Sequence, residues 1–115
     1  MFRYFKLKEF DCRETGENEM ESRFIALLDT LRYDCGFPFV IKSGYRSPDH
    51  SEEVVKDKPG MHTEGLAADI KISGGVQRYA LVEAAIQHGF TGIGVAKTFV
   101  HVDLREGPIV MWVYS

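Results

Sequence analysis

Apolar positions along the chain fall into two stretches with helical spacing and several short stretches with strand alternation. Phe24, Ile25, Leu27, Leu28 and Leu31 recur at helical intervals. Asn18 precedes Glu21 by three residues, the spacing of a capping box, so a helix is expected over residues 19–34, stopped by Gly36. A second helix is expected over 76–88, with Tyr79, Leu81, Val82, Ala85 and Ile86 facing the core and Gly89 as its stop. Residues 37–43 are β-rich after a breaker and read as a strand. Residues 66–72, 93–95, 98–104 and 109–114 read as further strands. Tight turns at Lys97 and at Gly107-Pro108 would join the last three as an antiparallel meander. The opening 17 residues carry Phe2, Tyr4, Phe5, Leu7 and Phe10 among charges, which suits a turn-rich segment packing its aromatics on the core. Residues 44–61 are polar and hold Gly44, Pro48, Pro59 and Gly60, with room for one helical turn near 51–55. A loop of that length in a small domain is usually functional. The sum is an α+β domain, with two main helices packed on a mostly antiparallel sheet.

Composition adds mainly exclusions. A chain of 115 residues fits one domain, taken here as 1–115. Its apolar fraction of 44% and charged fraction of 27% exclude disordered and low-complexity classes. Lys and Arg total 14 against 17 Asp and Glu, and they are scattered. No concentrated basic face is available to release counterions from a nucleic acid, so nucleic acid is not an expected partner. No run approaches the ~20 apolar residues of a membrane span. Charges break every apolar run near the N-terminus, which excludes a signal-peptide core there and points to synthesis in the cytoplasm. Cys12 and Cys35 are too few for a thiolate zinc site, and in a cytosolic chain they are expected to be reduced.

The chemistry-bearing residues are four histidines and their carboxylate neighbours. His88 sits at the end of the second expected helix, where a cation suits the helix C-terminus. His50 follows Pro48 in the polar loop and reads as a solvated residue, with a weaker role as an acid or base. His62 lies in the same loop, and Asp69 stands seven residues on in a strand among apolar neighbours. A carboxylate so placed is costly unless paired or bound to a cation. In Phe99-Val100-His101-Val102-Asp103, alternation puts Phe99, His101 and Asp103 on one face. Two histidines and one aspartate from different elements, with a fourth position left open, is one pattern of a catalytic zinc site. Hydrogen-bonded core histidines are the other reading of the same residues.

Several segments together resemble a known family. They are Ser43-Gly44-Tyr45-Arg46-Ser47-Pro48, His62-x-x-Gly65-x-Ala67-x-Asp69-Ile70, Gly92-Ile93-Gly94-Val95 and Phe99-Val100-His101-Val102-Asp103. In order and spacing they resemble the zinc D-alanyl-D-alanine carboxypeptidases, cell-wall peptidases of the Hedgehog/DD-peptidase fold. The opening Leu7-x-Glu9-Phe10-Asp11-Cys12 and the late Trp112 are similar to a compact, often phage-borne branch. The resemblance implies Zn2+ held by His62, Asp69 and His101. It implies that Arg46 grips substrate, with Ser43 and Tyr45 beside it, and that the substrate is a peptidoglycan stem peptide. It also implies action at the cell wall after phage-type release.

Two departures stand out. Gly60 occupies a position where the family usually has Ser. Thr98 and Phe99 occupy positions where relatives carry a catalytic carboxylate or histidine, and neither can take a proton. Asp103 is the natural stand-in. It either takes a proton from the attacking water or orients His101 by a hydrogen bond. Two functions stay open: a zinc peptidase, as D-Ala-D-Ala carboxypeptidase or L-Ala-D-Glu-type endopeptidase, and a zinc-containing module that binds without cleaving.

Overall fold

A computed structural model describes residues 2–56 and 60–114. Three helices lie in the chain: α1 (Ser22–Cys35), the short α2 (Ser51–Val54) and α3 (Gly74–Gln87). Five strands form one sheet: β1 (Ile41–Ser43), β2 (Ala67–Lys71), β3 (Gly92–Val95), β4 (Phe99–Asp103) and β5 (Val110–Val113). Two 3-10 turns, Leu7–Phe10 and Met61–Glu64, complete the regular structure. The architecture is α+β with a mostly antiparallel sheet, as the hydrophobic pattern implies.

The strand order is β1-β2-β4-β3-β5. β2 and β4 pair antiparallel through the middle, with Asp69 opposite His101 and Ala67 opposite Asp103. Alternation then splits the sheet into two faces. Ala68, Ile70, Val100 and Val102 point into the core, where they are fully buried with Phe24, Leu28 and Leu81 of α1 and α3. Phe24 and Phe90 meet edge to face at 5.9 Å, bridging α1 to the segment before β3. Asp69, His101 and Asp103 stand on the opposite face. The core therefore fixes the site's register: slipping β4 by one residue would bury His101 in the apolar layer.

Four local expectations are corrected. α1 starts at Ser22, not residue 19, because Asn18 is used elsewhere. Its amide donates to Leu7 O and Asp11 Oδ1, and its oxygen accepts from Met20 N. The strand expected over 37–43 is confined to Ile41–Ser43. Phe39 is instead buried between Phe5 and Phe37, so that stretch plugs the core. On α3, Leu81 and Ala85 are buried as expected, but Tyr79 and Ile86 are exposed, since the buried stripe is narrower than the apolar pattern suggested. Finally, β5 pairs with β3, and in parallel, so there is no three-stranded meander. Both edges of β4 are taken by β2 and β3. β4 ends beside the start of β3, where Asp103 faces Gly92. From there the chain reaches only β3's free edge and runs alongside it.

Candidate metal centre

Three elements converge on the polar face of the sheet. β2 supplies Asp69, β4 supplies His101, and the Met61–Glu64 turn supplies His62. One ligand atom from each lies within 4.8 Å of the others, and all three residues are buried. His62 Nε2 is 3.4 Å and His101 Nδ1 3.0 Å from Asp69 Oδ1, so two imidazole nitrogens converge on one carboxylate oxygen.

Each histidine is held from behind. His62 Nδ1–H donates to Gly44 O at 2.7 Å. That carbonyl cannot donate, so Nδ1 carries a proton and Nε2 is the nitrogen turned to the site. His101 Nε2–H donates to Asp103 Oδ2 at 2.7 Å, which leaves Nδ1 facing Asp69. Asp103 is fully buried and is itself fixed by Arg105. Arg105 Nη2 donates to Oδ2 at 2.7 Å, and the Arg105 Nε and backbone N–H donate to Oδ1 at 3.1 Å each. Burial opposes ionisation of Asp103, but His101 and Arg105 outweigh it and hold the carboxyl well below its usual range. Asp69 is held low in the same way, with burial outweighed by His101 and His62. Burial also works against a charged His101, yet Asp103 and Asp69 raise its pKa above the ordinary value. A divalent cation fits the set: one carboxylate and two oriented imidazoles with the donor chemistry zinc prefers.

A cleft of about 400 Å3 opens on these three residues. Phe99, Trp112 and Tyr114 line it with Lys42, Arg46 and Glu52. Trp112 lies 5.2 Å from the His101 ring, and the Arg105 guanidinium covers it at 4.7 Å. The two glycines of Gly92-Ile93-Gly94 make room for this layer. A Cβ on Gly92 would collide with the Asp103 carboxylate and Arg105, and one on Gly94 would sit 2.7 Å from Trp112 and Tyr114.

Arg46 enters from the opposite wall. Its Nε donates to Ser43 Oγ at 3.2 Å and its Nη1 to Glu53 Oε2 at 3.3 Å. Nη2 is 3.6 Å from Asp69 Oδ2 and 3.7 Å from Glu52 Oε2, too long for either hydrogen bond. Glu53 is buried, and it also accepts from Lys56 Nζ and from Gly60 N at 2.9 Å each.

Of the residues expected to form the site, His62, Asp69, His101 and Arg46 come together at the cleft. Asp103 lies behind His101, outside the cleft lining. Ser43 braces Arg46. Tyr45 departs from expectation: it is buried outside the cleft lining, where its hydroxyl donates to Glu19 Oε2 at 3.0 Å. Its backbone N–H donates to Phe10 O. His50 is not solvated. It is buried, caps α2 by accepting from Glu52 N, and lies 3.3 Å from Glu14. His88 pairs with Asp34 at the end of α3. Arg105, Glu52, Glu53 and Tyr114 are site residues that the sequence did not single out. Only Arg105 had a signal, two places beyond Asp103.

An α+β domain that buries a His–Asp–His donor set beside a cleft belongs to the class of domains with a candidate metal site. The family model described as Peptidase M15 matches residues 3–103, and the chain belongs to that family of metallopeptidases, which resembles the D-Ala-D-Ala carboxypeptidases. No curated protein matches the chain. The matched span ends at Asp103, so Arg105 and the aromatic wall from β5 lie beyond it.

Proposed function

We propose that the chain is a zinc-dependent peptidase that cuts peptidoglycan stem peptides. His62 Nε2, the Asp69 carboxylate and His101 Nδ1 hold the metal. When bound there, zinc supplies Lewis acidity for polarising a carbonyl and activating water. The observation that carries this reading is the pair of outer hydrogen bonds, to Gly44 O and to Asp103. They turn the remaining nitrogen of each histidine to the same point. A structural ion pair would not need both.

Arg46 binds substrate through Nη2. Ser43 and Glu53 occupy Nε and Nη1, so the guanidinium is fixed before substrate arrives and one edge is left for a carbonyl or carboxylate. Asp103 orients His101 and does not reach the reacting atoms. Its burial and its hydrogen bonds from three donor groups of Arg105 favour that role over proton transfer.

Incubation with purified peptidoglycan, followed by mass analysis of released peptides, tests the reading. D-Ala or cut stem peptides should appear and should vanish with a chelator. Binding without release would instead favour a zinc-containing module. Arg46→Lys should lower turnover about 10–100-fold with zinc content unchanged, the scale of a lost charged hydrogen bond. An unaltered rate would remove Arg46 from the site.

A further inference from the structure

Hydrolysis needs a group that accepts a proton from water, and we infer that Glu52 is that group. The inference rests on the peptidase reading above. Among the described residues, the carboxylates lining the cleft are Asp69 and Glu52. Asp69 is committed to His62 and His101. Both cleft imidazoles present their open nitrogens to Asp69 and have spent the others. Asp103 is sealed behind His101 and neutralised by Arg105. Tyr114 lines the cleft too, but burial raises its pKa, so it keeps its proton at neutral pH. Of the two cleft carboxylates, Glu52 is the one with access to water, paired only loosely with Arg46 at 3.7 Å.

Its backbone is fixed, while its carboxylate is exposed and, among the described residues, makes no hydrogen bond shorter than its 3.7 Å pairing with Arg46, which suits proton transfer. Glu52 N–H donates to His50 Nδ1 at 3.0 Å. One residue before it, Ser51 N and Oγ both donate to Glu14, and one after it Glu53 anchors Arg46 and Gly60. The Glu52 carboxylate itself is largely exposed and lies 3.7 Å from Arg46 Nη2, the edge left for substrate. A carbonyl drawn to Arg46 therefore arrives between Glu52 and Asp69.

The step balances. Water adds its oxygen to the scissile carbonyl carbon as one of its protons passes to the Glu52 carboxylate. That proton then goes to the departing nitrogen as the C–N bond breaks. The products are an acid and an amine, and Glu52 returns to its carboxylate form.

Glu52→Gln keeps the shape and removes the acceptor. In zinc-loaded protein acting on purified peptidoglycan, kcat should fall about 10²–10⁴-fold. KM, zinc stoichiometry and melting temperature should stay as in wild type. Glu52→Asp should recover part of kcat, which a lost packing contact would not do. Turnover within three-fold of wild type in Glu52→Gln would overturn this inference alone. So would a loss confined to KM, which would make Glu52 a positioning residue for Arg46. Failure of the wild type to release any peptide would overturn the peptidase reading as well.

Discussion

Asp103 shows how one side chain's surroundings decide its role. Alternation puts it beside His101, where it has two possible functions. Arg105 then narrows them, because a carboxylate already holding three donors from Arg105 besides His101 Nε2–H is a poor acceptor for a further proton. Asp103→Asn should therefore act on the metal and leave the chemical step intact. Zinc affinity is expected to drop about 10–100-fold, and excess zinc should restore turnover. A kcat loss that persists at saturating zinc would return Asp103 to the role of base. Trp112, the only tryptophan in the chain, offers a direct probe. Its ring lies 5.2 Å from His101, so zinc titration should change its emission with a one-to-one endpoint. Emission that ignores zinc would place the ion elsewhere.

At the level of elements, α2 is a four-residue helix too short to be stable on its own, and polar contacts hold it. His50 caps it, and His50→Ala should cost about 1 kcal/mol in chemical denaturation, as other lost caps do. Glu53 anchors it to the site. Burial pushes the Glu53 carboxyl up, but Gly60 N–H, Lys56 and Arg46 outweigh this and hold it below the ordinary Glu range. A carboxyl lowered in the fold stabilises it fully above the unfolded-state pKa of about 4.3, and that stability is lost as pH falls through the lower folded value. Denaturation midpoints between pH 5 and 2 should thus fall less steeply in Glu53→Gln than in wild type. Parallel slopes would show that Glu53 carries no such linkage. The same elements mark how far the sequence could be read. The His62–Asp69–His101 group was legible as a candidate from its loop and strand placement, and Arg46 only through the family resemblance. The cores of α1, α3 and the central strands followed from apolar periodicity. Glu52 and Glu53 were not legible: they sit in a polar loop with no periodicity, and their meaning comes from Arg46 and Gly60 folding against them. Nor was the turn of Tyr45 toward Glu19, since a motif fixes a residue's place but not its rotamer. The parallel β5 was missed because local turn signals cannot show that both edges of β4 are already occupied.

On the scale of the whole molecule, the centre ties together segments far apart in the chain. His62 comes from the end of the long polar loop, and Asp69 and His101 come from neighbouring strands that meet only in the folded state. The unfolded chain has no such site, so binding free energy becomes folding free energy. At free zinc 1,000-fold above Kd the gain is about 4 kcal/mol, which for a domain of this size raises Tm on the order of 15 °C. Chelation should lower Tm by that order and leave the fold intact, because the apolar face of the sheet, packed on α1 and α3, does not involve the ligands. The His62→Ala/His101→Ala double variant should bind no zinc and show no shift with chelator. Differential scanning calorimetry with and without zinc measures both. An equal zinc-dependent rise in the double variant would show that the ion stabilises the protein from another place, and the His62–Asp69–His101 assignment would fall.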